Sequence, residues 1–396
     1  MEPGLTVAVI CFAVAALALV HSYILYPLLL KVLSSSLPDE KMEEPGSWPV
    51  VSVLLAVYNE EKVIRAKLES IFSSDYQADK LELVVGSDGS TDRTNEIIEE
   101  FISKGHRIIF RNFGGRTGKS GIINQISPLA NGSIFIPTDA NIFFEPGMIR
   151  KLVTALQHAD TGLVSANIVN TGMQKDGISH QEEAYIRREN LIKYREGRLW
   201  GTMMGAFGAC YAIRKELFDP IPANFLMEDF YITLRVIEAG YAAKCDLQAI
   251  AYEDVSNSWR EEFKRKIRIS AGNYQNLGVF YKMLWPFWKP AGFSFLSHKV
   301  LRWFGPFWLL ITLLTSAFLL HTNLFWCLVF WLQVAGWFTP LLDALLSRWK
   351  LHTFVLRLLS YFFLMNLALL AGLWKYMKGI RTSAWNPTAR NVNTKQ

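Results

Sequence analysis

The chain predicts an α/β fold class: a doubly wound, mostly parallel sheet covered by helices and set between apolar segments long enough to cross a bilayer. Three observations lead there. Short continuous apolar runs rich in β-branched residues alternate with helical stripes between residues 50 and 166. Acidic and polar residues recur where those runs end. And 51% of the 396 residues are hydrophobic, with the longest apolar runs near the two ends, a pattern foreign to a soluble enzyme.

Residues 5–30 form the first apolar run. Its start, MEPGLT, carries no cation, and the run is too long for a secretory signal, so residues 1–34 read as a membrane anchor. Lys31 on its far side directs the chain into the cytosol. A cytosolic domain over 48–262 follows. VVSVLLAV (50–57) is its first strand, then a helix buries Ile64, Leu68, Ile71 and Phe72. LELVV (81–85) is the second strand, followed by a helix that Asp92 caps and that buries Ile97, Ile98 and Phe101. RIIF (107–110), the helix GKSGIINQI, SIFIP (133–137), the helix MIRKLVTAL and GLVSA (162–166) continue the alternation. Phe230, Leu234 and Ile237 make a later helical stripe that ends at Gly240.

Residues 263–302 read as interfacial helices. WPFWKPAGFSFLSHKVLRWF (285–304) is broken by Pro286 and Pro290, rich in Trp and Phe, and carries Lys and Arg, so it lies at the headgroups. Within 303–380, spans are expected at about 303–320, 324–346 and 353–374, each near the roughly 20 residues a crossing needs. Residues 381–396 are a tail. The loop HTN (321–323) is neutral and SRWKLH (347–352) is basic, placing the second in the cytosol. Three crossings after a cytosolic domain put the C-terminus outside, yet Lys375, Lys378, Arg381 and Arg390 favour the inside. One segment is therefore expected not to cross fully. The net charge of +6 gathers near apolar segments and in Lys264 to Arg268, which suits lipid headgroups and phosphates and excludes nucleic acid as the partner. Cys11, Cys210, Cys245 and Cys327 form no C-x-x-C pair, so neither a disulfide framework nor a zinc site is indicated.

In an open α/β sheet, ligands bind beyond the carboxyl ends of the strands. Tyr58, Asn59 and Glu60 end the first strand, Asp88 the second, Asn112 to Lys119 follow the third, and Asp139 ends the fourth. All fall on one edge. Turn chemistry explains any one of these residues; it does not explain their shared placement. GGRTGKS also resembles a nucleotide-phosphate loop, but its glycine spacing is one residue short of G-x-x-x-x-G-K-[ST].

The ordered set AVYNEE, GSDGSTD, GKSGIIN, PTDAN, YAIRKELF, MEDF and RKIRISAG resembles glycosyltransferase family 2, the GT-A-fold group that includes cellulose, chitin, hyaluronan and poly-N-acetylglucosamine synthases. The likeness covers roughly residues 50–280 and extends through SHKVLRW to WNPTAR. It implies that Tyr58, Glu60, Asp88, Lys119 and Asp139 bind a nucleotide, with Lys119 a point cation near the diphosphate. It implies that Asp139 and Asn141 hold Mg2+ or Mn2+ at the D-x-D position, Asn141 contributing a neutral oxygen where the family has a second carboxylate. Asp229 matches the catalytic base, and a place in the first turn of a helix favours its ionised form. Arg265 and Arg268 match the family's (Q/R)-x-x-R-W arginines, on one helix face toward the leaving diphosphate, but Ile269 replaces the tryptophan. Ala206, Phe207, Gly208, Glu228 and Ile269 stand at acceptor positions. Gln333, Asp343, Arg357 and Asn366 are polar groups in or near the spans and face protein or a cavity there.

The expected function is that of a multi-pass membrane protein of a cell membrane, of the bacterial inner-membrane kind, with a cytosolic catalytic domain. It is an inverting glycosyltransferase that moves a sugar from a nucleotide-sugar donor, a UDP-sugar, to a glycan or lipid-linked acceptor in polysaccharide synthesis. Two alternatives stay open: transfer of one sugar to a lipid, and a non-catalytic subunit that binds a nucleotide sugar.

Overall fold

The computed structural model describes residues 3–38, 43–172, 179–208, 210–254, 258–349, 351 and 353–383. Eight strands build one sheet among them: β1 Val51–Val57, β2 Leu81–Ser87, β3 Ile108–Asn112, β4 Ile134–Thr138, β5 Ile142–Phe144, β6 Thr161–Thr171, β7 Tyr211–Arg214 and β8 Ala242–Asp254. Their order is β3-β2-β1-β4-β7-β6-β8-β5. β3, β2, β1 and β4 run parallel, as do β6 and β8, while β7 and β5 are antiparallel to their neighbours. Alternate side chains of a strand point to opposite faces. In β1, Val51, Val53, Leu55 and Val57 pack with Ile64, Leu68 and Ile71, whereas Leu54 and Ala56 meet Ile122, Ile123 and Ile126. Burial on both faces is why β1 reads as one apolar run.

The first four strands and β6 lie where the sequence puts them. β5, β7 and β8 were not foreseen, nor was the helix Ser179–Trp200. The strand β7 is consequential: its antiparallel pairing sets Ile213 against Phe135 and Cys210 against Thr138, which brings the loop before it to the carboxyl end of β4.

Among the described residues, three helices are long and apolar enough to cross a membrane: Pro3–Ser34, Leu324–Arg348 and Phe354–Met377. The side chain of Asn323, in the neutral loop, caps Leu324–Arg348 by accepting from the Trp326 amide at 3.2 Å. The segment expected at 303–320 is different. Its helix, Gly305–Phe318, spans only about 21 Å at the usual helical rise and is bent by 62° from Pro290–Trp303. This broken pair is the segment whose crossing is in question. Trp285 and Trp288 are exposed ahead of it. Arg390 and WNPTAR, in the expected tail, lie outside the described residues.

Two π-helical turns face each other at this level. His21–Leu25 interrupts the N-terminal helix and Phe295–Val300 interrupts the bent segment. A π turn shifts the hydrogen-bond register and opens backbone carbonyls to other donors. The Arg302 guanidinium donates to the Ser22 carbonyl at 3.2 Å, and His21 Nε2 lies 2.9 Å from Ser297 Oγ.

Candidate active site

The parallel register aligns Val57 with Ser87 and Ser87 with Asn112, so the residues after β1, β2 and β3 meet on one edge. Asp88 is fully buried. Its carboxylate accepts from the Thr117 amide at 2.7 Å, the Thr117 hydroxyl at 3.1 Å and the Gly118 amide at 3.0 Å, with Arg116 Nε 3.5 Å away. It ties the loop after β3 to the end of β2. The Arg116 guanidinium in turn lies 3.3 Å from the centre of the Tyr58 ring. Asn59, at φ 51°, accepts the Thr91 amide at 2.8 Å, and the Glu60 amide donates to Thr94 Oγ1 at 2.8 Å. Glu60 rather than the enclosed Asp88 faces the open cavity.

Lys119 opens the helix Lys119–Ile126. Its ammonium lies 2.6 Å from Asp139, 2.5 Å from Glu228, and donates to the Gly208 carbonyl at 3.1 Å. Burial opposes that charge, but Asp139 and Glu228 outweigh it and hold the Lys119 pKa above the ordinary lysine value. The cation thus joins β4, the 206–208 loop and the helix Glu228–Glu238. Asp229 is buried in the first turn of that helix and accepts the Phe230 amide at 2.8 Å. A Cβ on Gly208 would come within 2.9 Å of its free oxygen, so only glycine lets the loop lie against the carboxylate. The helix start was expected to favour ionisation. Burial and the Glu228 charge work the other way and push the Asp229 pKa up to about 6, although Lys119, the Phe230 amide and Lys193 oppose them. At neutral pH the group is still largely ionised.

The Asp139 carboxylate is 38% exposed and Asn141 turns its amide nitrogen to Glu253 at 3.4 Å. Among the described residues, no group of three or more His, Cys, Asp or Glu is arranged to hold a metal. A part-exposed carboxylate, shared with Lys119, with a neutral oxygen nearby fits Mg2+ or Mn2+ that takes its remaining ligands from a diphosphate and water, the usual way such ions sit on phosphate substrates. Lys67 supports this turn from below. It is fully buried, donates to Thr138 Oγ1 at 2.9 Å and to the Ile142 carbonyl at 2.6 Å, and burial pulls its pKa down to about 7.

The two arginines part company. Arg265 lies 3.4 Å from both Glu182 and Glu262. Glu182 also takes Lys266 at 2.9 Å and the Tyr361 hydroxyl, so this network clamps three helices together, one of them a candidate span. Arg268 is exposed at the cavity, where no ion pair holds it among the described residues, and Ile269 lines the same wall.

The helix Ser179–Trp200 supplies groups that the sequence reading missed. Glu189 binds Arg302, His298 at 3.0 Å and Lys299 at 3.0 Å. Glu196 accepts from the Tyr26 hydroxyl at 2.7 Å and the Met204 amide at 3.0 Å, and lies 2.8 Å from His298 Nδ1. The signal was present: Glu182, Glu189, Lys193 and Glu196 recur at helical spacing within a charged run. The first three border a cavity of about 1220 Å³ that runs from Glu60, Lys119 and Asp139, past Asp229, to Tyr23, Phe362, Met365 and Leu369 on the candidate spans.

Residues 52–221 match the family described as glycosyl transferase family 2. The chain is 28% identical over 252 residues to a probable glycosyltransferase, YdaM, of Bacillus subtilis, covering 61% of this chain and 58% of that protein. It is 32% identical over 124 residues to a beta-monoglucosyldiacylglycerol synthase of Nostoc, covering 31% of this chain and 26% of that one. The chain thus spans little more than half of one relative and about a quarter of the other. A solved mannosyltransferase of Pyrobaculum calidifontis, in complex with GDP-Man and Mn2+, superposes with a TM-score of 0.70 at 21% identity, over 93% of this chain and 99% of that one. That likeness is one of fold, and the fold is GT-A.

Proposed function

From the premise that this chain carries a glycosyl transferase family 2 domain, we propose that it is a membrane-bound inverting glycosyltransferase that adds a sugar from a nucleotide-sugar donor, a UDP-sugar, to a lipid acceptor. The observation that carries the reading is the continuous cavity between Asp229 and the apolar faces of the candidate spans. An acceptor with a hydrocarbon tail can lie among Phe362, Met365 and Leu369 while its head meets the buried carboxylate. Of the two acceptor classes open from the sequence, the geometry supports the lipid: Ile269 on the cavity wall offers no aromatic face for the end of a growing glycan.

In this mechanism the nucleotide lies on the strand edge at Tyr58 and Glu60, with Asp88 holding the loop that closes over it. Asp229 takes the proton of the acceptor hydroxyl as its oxygen attacks the anomeric carbon, and the bond to the diphosphate breaks on the opposite face. Ala206, Phe207, Gly208 and Glu228 shape the acceptor position. Lys119 and Arg268 stabilise the charge that gathers on the departing diphosphate. Asp139, with Asn141, would hold Mg2+ or Mn2+, which supplies Lewis-acid charge to that diphosphate.

The test offers detergent-purified protein a panel of nucleotide sugars with and without membrane lipid extract, measuring nucleoside diphosphate release and solvent-extractable label. The expected result is lipid-stimulated release with one sugar per extractable product. A high-molecular-weight polymer would overturn the lipid reading, and absence of release with every donor would leave a binding subunit.

A further inference from the structure

Lys193 is out of keeping with its surroundings. It projects from the helix Ser179–Trp200 to the cavity wall, is only 5% exposed, and among the described residues makes no hydrogen bond or ion pair. Its ammonium lies 3.6 Å from the centre of the Phe207 ring, within the loop that carries Gly208 against Asp229. An unpaired buried ammonium is costly, and proteins satisfy such groups with a counter-charge.

The neighbouring residues increase the imbalance. Arg188, Lys193, Lys299 and Arg302 border this end of the cavity, against Glu189, Asp229 and the Glu196 carboxylate behind His298. Four cations less three carboxylates leave +1 with His298 neutral. Glu189 is shared by His298, Lys299 and Arg302, and Asp229, which acts on Lys193 through space, makes no ion pair with it among the described residues. A low-dielectric wall with excess positive charge draws anions. Burial and the nearby Lys299 lower the Lys193 pKa to about 8, with Glu189 and Asp229 opposing them, so it is mostly charged at neutral pH and an anion in contact with it would relieve the remaining cost.

We infer that Lys193, flanked by Lys299 and Arg302, forms a phosphate-binding site for the acceptor, so that the acceptor is a phosphate-bearing lipid rather than a neutral one. This deepens the lipid reading above and rests on it. The site lies between the Phe207 loop and the candidate spans, where the head of a lipid whose tail rests on Phe362 and Met365 would arrive. It uses other side chains than Lys119 and Arg268, to which the mechanism above gives the donor diphosphate. Lys193 is thereby a specificity residue for the acceptor's charge.

Binding without donor tests the inference apart from turnover. Native mass spectrometry of the full chain in detergent would compare two matched pairs: phosphatidylglycerol against diacylglycerol, and farnesyl phosphate against farnesol. Wild type is expected to prefer the phosphate member of at least one pair by tenfold or more, and the preferred pair distinguishes a glycerolipid from an isoprenoid source. Lys193→Gln should reduce that preference to threefold or less, and Lys193→Arg should restore it in part. Because the preference is a ratio within one preparation, loss of folded protein does not mimic the effect. Equal binding within both pairs, or an unchanged preference in Lys193→Gln, overturns the site. Donor turnover that fails while the phosphate preference holds sinks the transferase reading instead.

Discussion

Replacing Asp229 by Asn removes the proton acceptor while keeping size and polarity. The carboxylate is buried against Gly208 with its pKa pushed up to about 6. At pH 7 about nine-tenths of it is ionised, and at pH 5 about one-tenth, so wild-type kcat/KM should fall roughly tenfold between those values. The sign follows from the role: a base works only when deprotonated, so activity is lost as pH falls through about 6. Asp229→Asn should lower kcat by roughly 10²–10⁴, equivalent to about 3–5 kcal/mol of transition-state stabilisation. It should also lose the limb near pH 6, because no titrating base is left at the acceptor. The assay is nucleoside diphosphate release at saturating donor over a range of acceptor concentrations from pH 5 to 8.5, giving kcat and kcat/KM, with donor affinity measured separately by calorimetry. A variant within fivefold of wild type, or one that keeps the limb, would refute the assignment of Asp229.

EDTA should abolish diphosphate release and Mn2+ should restore it, while Asn141→Asp should bind the ion more tightly; full activity in EDTA would mean that Lys119 and Arg268 carry the diphosphate unaided. Arg268→Ala should cut kcat by roughly 10- to 100-fold, the value of a charge-assisted hydrogen bond, with Tm unchanged. Arg265→Ala should instead cost about 1–2 kcal/mol of stability by loosening the Glu182 network, seen as a lowered thermal midpoint. Lys67→Met leaves the Ile142 carbonyl and Thr138 without their donor, so a loss of about 1–3 kcal/mol is expected in thermal unfolding, together with weaker metal binding at Asp139.

The part of the fold that reads directly from sequence is the part buried on both faces. β1, β2 and β4 are mainly apolar runs because each feeds two cores, and their ends place Glu60, Asp88 and Asp139 on one edge before any coordinates are known. β5 and β7 have only three and four residues, too few for a period to show. β7 is nonetheless what carries residues 206–208 to β4. Arg265 illustrates the other limit. Its spacing with Arg268 suggests a shared task, but its partner Glu182 is 83 residues away and only the packed helices bring them together. The Asp229 pKa was misjudged for a like reason: a helix start is visible in sequence, whereas enclosure beside Gly208 and Glu228 is not.

The paired π turns bear on how the protein is made. The opened Ser22 carbonyl finds its donor in Arg302, 280 residues further along the chain. At synthesis rates of about 5–20 residues per second, the first apolar helix waits on the order of 15–60 s for that partner. During the wait a polar backbone group stands within a segment apolar enough to cross a bilayer, where water is scarce. The N-terminal helix is therefore a provisional lodger: it can insert early, but its final depth and rotation are settled only when the segment after residue 295 arrives. Fragments truncated before Arg302 should leave that helix unlocked and open to proteolysis, even with the sheet domain fully formed.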